Sequence, residues 1–182
     1  MEKPAPLDGV TTQMIATPRL EQHVYFAGPE DGAPVVFVHG NCASALHWEE
    51  NMLALPEGFR GIAPDLRGYG WTEAAPIDAT RGMRDWADDL DALMVALDIE
   101  KFHLVGHSMG GGVAMRYAID HPEKLLSLTL ADTVSPYGFG GTRGEDGQPA
   151  QDGPGGVGIG VHVEQQGALQ LGPCRVRLAA GP

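Results

Sequence analysis

Phe102-His103-Leu104-Val105-Gly106-His107-Ser108-Met109-Gly110-Gly111-Gly112-Val113-Ala114-Met115 runs from an apolar stretch into a series of small residues. Residues 102–105 read as a strand, and the helical pattern after Ser108 runs to about Asp120, where Pro122 ends it. Ser108 then sits on the sharp turn between them, within Gly106-x-Ser108-x-Gly110. A serine on such a turn presents its hydroxyl at the top of a sheet, where it can attack an acyl carbon. Glycines flank it because strand and helix approach closely and leave no room for Cβ atoms.

Working outward, the 135 residues at the amino-terminal end alternate between strand and helix patterns. Two short strands are expected near 11–16 and 20–26. Val35, Val36, Phe37 and Val38 form a continuous apolar run, the mark of a strand covered on both faces. A short helix is expected over 45–55 with Ser44 as its cap. Residues 61–63 read as another strand and 125–131 as the last. From about 83 to 97, Trp86, Leu90, Leu93, Met94 and Leu97 recur at helical spacing. The acids Asp85, Asp88, Asp89 and Asp91 fill the rest of that helix and read as a solvated face. The β-α-β rhythm predicts an α/β fold, a mostly parallel sheet with helices on both faces.

Two further stretches follow strand ends. His39-Gly40-Asn41 comes directly after the Val35–Val38 run, at the carboxyl edge where ligands bind in parallel sheets. The Ser108 turn lies at the same edge. A tetrahedral intermediate needs two N–H donors aimed at its oxyanion. The backbone N–H of Met109 supplies one, and that of Asn41 or a neighbour supplies the other. Asp65-Leu66-Arg67-Gly68-Tyr69-Gly70 reads as structural, with the Asp and the Arg bracing a loop.

These three stretches, in this order and at these strand ends, resemble the α/β-hydrolase fold superfamily. The resemblance covers roughly residues 10–135 and looks like the amino-terminal part of an esterase- or lipase-like member, or of a related C–C bond or lactone hydrolase. It implies a serine hydrolase that forms an acyl-enzyme on Ser108 from an ester-like carbonyl substrate. Dehalogenases and epoxide hydrolases of the superfamily use Asp as nucleophile, so Ser108 argues against both, although His39-Gly40-Asn41 resembles a dehalogenase loop. The order Ser, acid, His that the family follows places the base near the carboxyl end, after further strands. Asp132, at the end of the 125–131 strand, is the candidate acid.

No catalytic histidine is evident. His107 adjoins Ser108 but points elsewhere, His121 lies at the far end of the helix, and His103 is a packed or paired strand residue. His162 stands in a glycine-rich stretch. The fold is therefore read as truncated, with 1–137 an incomplete core and 138–182 a Gly-rich, disordered or aberrant tail that holds half of the chain's 26 glycines. Weak or absent turnover is expected, the alternative being a non-catalytic remnant or partner-binding fragment. An open sheet edge would then favour self-association.

Composition narrows the partners. A net charge of −12 disfavours nucleic acid and anionic membranes. No apolar run is long enough to cross a bilayer and no leader pattern is visible, so a small-molecule substrate and a cytoplasmic location are expected. Cys42 and Cys174 offer no disulfide framework. No cofactor is expected: Gly153-Pro154-Gly155-Gly156-Val157-Gly158 spells a dinucleotide fingerprint but lacks a preceding strand, and no residue spacing suits a metal.

Overall fold

Val35, Val36, Phe37 and Val38 are all buried because their strand is covered on both sides. This strand is β3 (Ala33–Val38), and side chains alternate across it: Val36 and Val38 join one apolar cluster, Val35 and Phe37 another. The computed structural model describes residues 3–134 throughout, and beyond them only the backbone of short strands at Thr142–Arg143, Gln148–Pro149, Val161–Glu164 and Arg177–Leu178. The reading of 138–182 as a separate tail lies largely outside the described residues.

The other core strands are β1 (Val10–Ala16), β2 (Glu21–Ala27), β4 (Phe59–Pro64), β5 (Phe102–His107) and β6 (Leu125–Ala131). Their order is β1-β2-β4-β3-β5-β6. β1, β2 and β4 pair antiparallel, whereas β4, β3, β5 and β6 run parallel. Beyond β6, Val161–Glu164 pairs antiparallel with it, so the edge expected to stand open there is occupied.

Helices α2 (Arg84–Ala96) and α3 (Met109–Asp120) cover one face, where Leu90, Leu93 and Met94 meet Val113, Tyr117, Ile62 and Leu104. Each fully buried side chain of this size contributes on the order of 2 kcal/mol of burial. A 3₁₀ turn (Ala45–Trp48) and α1 (Glu49–Leu53) cover the other face, with Trp48 and Met52 on Tyr25, Phe37 and Ala63. These are the α/β architecture and both-face helices that the β-α-β rhythm predicts. Among the described residues, no helix is long and apolar enough to cross a membrane.

Two details differ from expectation. Ser44 sits at the cap position, but its hydroxyl makes no capping bond. The N–H of the first helical residue, Ala45, donates to the buried Asp65 Oδ1 at 2.7 Å. The acids of α2 are not all on a solvated face. Asp89 is only 1% exposed and Asp85 is also buried, because arginines from three separate segments reach them. Arg67 grips Asp89 through Nε and Nη2, both at 2.7 Å, Arg19 Nε adds a bond of 2.6 Å, and Arg81 pairs with Asp85. The remaining guanidinium nitrogen of Arg67, Nη1, donates to the Pro76 carbonyl at 2.6 Å. This is the bracing role expected of that arginine.

Asp65 and His39 fasten the loops at the carboxyl ends of β4 and β3. The Asp65 carboxylate accepts from His23 Nδ1 at 2.8 Å, the Ala45 N–H and the Trp71 N–H at 3.0 Å. His39 is fully buried, with Nδ1 2.8 Å from the Gly40 carbonyl oxygen and Nε2 3.0 Å from the Leu66 N–H. Since an amide N–H can only donate, Nε2 must accept, and the proton lies on Nδ1. The imidazole is neutral, and burial pushes its pKa down from 6.5 despite the opposing pull of the Gly40 carbonyl and Asp65.

Two outcomes are expected. Asp89→Ala leaves the buried Arg67 guanidinium without its carboxylate, while Arg19 keeps Asp85 and Asp88, and should destabilise the fold by about 3 kcal/mol, a fall in Tm of roughly 10 °C. A change below about 1 kcal/mol in chemical denaturation would contradict the buried pairing. For His39, the unfolded chain takes up a proton near pH 6.5, whereas the folded chain does so only at lower pH. Protonation therefore favours unfolding, and stability present above that pH declines as pH falls through it. Thermal melts between pH 7.5 and 5 should show a shallower decline in His39→Gln than in the parent; equal slopes would contradict the neutral, buried ring.

Candidate functional site

β5 ends and α3 begins at Ser108, whose backbone takes φ 54° and ψ −120°. A non-glycine residue with positive φ costs on the order of 1–3 kcal/mol and persists only where its surroundings hold it. Here both sides hold it. The Ser108 N–H donates to the Ala131 carbonyl at 3.1 Å, and the Ser108 carbonyl accepts from the Val134 N–H at 3.1 Å and the Gly111 N–H at 3.0 Å. The turn is possible because its neighbours lack side chains. A Cβ at residue 106 would lie 2.5 Å from the Gly110 carbonyl oxygen, and one at residue 110 would lie 2.3 Å from the Val38 carbonyl oxygen.

The register Val38↔Gly106 sets the end of β3 beside the end of β5, with β4 on the far side of β3. The crevice at such a divergence of connections is where open α/β sheets bind ligands. Gly40 closes on the turn: a Cβ there would stand 2.9 Å from the Ser108 Cβ. The 39–41 loop is thus in direct contact with the serine. Cys42 also takes positive φ, at 55°, which turns its N–H onto Asn41 Oδ1 at 3.0 Å. Among the described residues, the N–H of Asn41 has no acceptor. Met109 opens α3, so its N–H has no partner within the helix. Ser108 is half-buried, and no described side chain bonds its hydroxyl.

The site gathers Ser108, Met109 and the loop of Gly40 and Asn41. Asp132 follows the Ala131 carbonyl that holds Ser108, at the same edge, with φ 43°. Its side chain is exposed and makes no described hydrogen bond. None of the described histidines hydrogen-bonds the Ser108 hydroxyl. His107 stacks on His47 with ring centroids 5.3 Å apart and planes 12° apart. His103 Nδ1 is 2.8 Å from Ser127 Oγ. His121 lies 3.9 Å from Asp91, and His23 and His39 serve the loop anchors. His162 falls in Val161–Glu164, where side chains are outside the description. Tyr69, which sequence reasoning passed over, reaches Asn41 Oδ1 with its hydroxyl at 2.6 Å. Its only signal was its place in the Asp65–Gly70 loop.

This geometry has relatives. The family model of the alpha/beta hydrolase fold matches residues 33–151. The chain is 39% identical over 102 residues to 2-hydroxymuconate semialdehyde hydrolase from Pseudomonas sp. (strain CF600), covering 54% of this chain and 36% of that protein. It is 34% identical over 137 residues to non-heme chloroperoxidase CPO-A1 from Kitasatospora aureofaciens, covering 74% and 49%. Among solved structures, 2-hydroxy-6-oxo-6-phenylhexa-2,4-dienoate hydrolase from Rhodococcus sp. strain RHA1 superposes with a TM-score of 0.64 at 29% identity, over 69% of this chain and 47% of that one. The chain thus spans less than half the length of these relatives. By its matched sequence, its sheet order and its strand-to-helix turn, the chain belongs to the α/β-hydrolase fold family.

Proposed function

We propose that the chain carries the nucleophile and oxyanion-binding half of a serine hydrolase acting on ester-like carbonyl substrates. Ser108 Oγ attacks the carbonyl carbon, and the carbonyl oxygen takes up negative charge. The N–H groups of Met109 and Asn41 receive that oxyanion. Collapse of the intermediate expels the alcohol and leaves an ester on Ser108, which water then hydrolyses to the acid. The observation that carries this reading is the strained turn of Ser108 in contact with Gly40, between two amide groups without described acceptors. Hydrolase names among the relatives support the reaction class, and the nucleophile's identity as serine rests on Ser108 in its turn.

The attacking hydroxyl must give up its proton, and no described histidine hydrogen-bonds it. Loss of a triad base costs on the order of 10⁶-fold in kcat. That favours a second reading, a core that binds without turning over. Asp132 is the acid that would orient a base supplied from residues outside the description.

A fluorophosphonate probe separates the two. Labelling is expected at Ser108, absent in Ser108→Ala, and accelerated by imidazole added as an external base. A folded sample that stays unlabelled with imidazole present would overturn the nucleophile and leave the second reading. Hydrolysis of p-nitrophenyl acetate is expected to stay near the buffer rate; fast hydrolysis abolished by Ser108→Ala would show that the chain supplies its own base.

A further inference from the structure

We infer that Tyr69 is a positioning residue for the oxyanion loop; this inference rests on the reading of Ser108 and Asn41 just given. The Tyr69 ring packs T-shaped against His39, the first residue of the loop, with 5.3 Å between centroids. Its hydroxyl reaches across to Asn41 Oδ1 at 2.6 Å and passes 3.7 Å from Met109 Sδ. One side chain therefore touches both elements that would supply oxyanion donors.

The orientation of the Asn41 amide follows from its partners. The Cys42 N–H can only donate, so the atom 3.0 Å from it is the carboxamide oxygen. The Tyr69 hydroxyl donates to that same oxygen. Burial, with Cys42 adding to it, raises the Tyr69 pKa above 10.0, so the hydroxyl keeps its proton and its donor role through the neutral range. Two donors on one oxygen hold the Asn41 side chain down against Tyr69 and set the direction of the backbone above it. Cys42 holds a positive φ and Asn41 is exposed, so no packing against the core replaces this hold. The anchor itself is rigid: the Tyr69 N–H bonds the Leu66 carbonyl at 2.9 Å, and Leu66 in turn is tied to His39. The result is a closed circuit from β3 through His39, Leu66 and Tyr69 back to Asn41.

Tyr69→Phe removes the hydroxyl and keeps the ring against His39. Amide hydrogen exchange by mass spectrometry on the full chain should show at least tenfold faster exchange confined to residues 40–43, with α3 and β5 unchanged and Tm within about 2 °C of the parent. Imidazole-assisted labelling of Ser108 should slow by about tenfold. In an Asn41→Ala background, Tyr69→Phe should change neither readout further. Unchanged exchange in 40–43, exchange raised across the whole chain, or additive effects in the double variant would each overturn the positioning role. An unlabelled parent would remove the proposed nucleophile, while the exchange pattern would still decide the role of Tyr69.

Discussion

Everything at the carboxyl edge of this sheet depends on a backbone held in a conformation it does not favour. Ser108 turns the chain from β5 into α3 with positive φ, and the turn is closed by hydrogen bonds from both directions along the 131–134 segment. It also requires that β3 and the start of α3 come close enough for the Gly110 backbone to lie against the Val38 carbonyl. Any side chain at that contact would push the helix off the sheet. The parallel register of β3 with β5 then sets the 39–41 loop against the serine. Geometry of this kind is local in sequence at each loop and non-local in what it brings together.

A second constraint is electrostatic. Asp65 and Asp89 are buried carboxylates, and each is matched by donors from several segments. Burying a charge without such partners would cost far more than the fold can supply. Asp65 ties β2, the 3₁₀ turn and the loop after β4, while Asp89 ties α2 to Arg67 of that same loop. The loop is thereby anchored at both ends, and Tyr69 stands between the anchors. The neutral His39 completes the arrangement by accepting from Leu66. The 39–41 loop is thus tied down by hydrogen bonds from His39 and Tyr69.

The strands, the helices and the turn at Ser108 were legible because each is written in local pattern. β6 falls at Leu125–Ala131, the range the sequence predicts, and α2 and α3 lie within a residue or so of theirs. The Ser108 turn was legible because glycine spacing and strand-to-helix context coincide. The burial of Asp85 and Asp89 was not, since Arg19, Arg67 and Arg81 come from separate segments that helical periodicity does not register. Ser44 takes the cap position without a capping bond, and the Asp65 carboxylate that receives the Ala45 N–H lies twenty residues on. The tie between Tyr69 and Asn41 spans a separation of 28 residues and carries no motif of its own. Long-range side-chain pairs of this kind are visible only once the sheet order is known.

The chain spans less than half the length of the relatives it matches. The proposed account centres on the Ser108 turn and the 39–41 loop against it. The most direct test is an experimental structure of the chain after reaction with a small phosphonate probe. The account predicts phosphorus bonded to Ser108 Oγ and the phosphoryl oxygen about 3 Å from the N–H groups of both Met109 and Asn41. Phosphorus on any other residue, or a phosphoryl oxygen turned to solvent and away from the 39–41 loop, would contradict it.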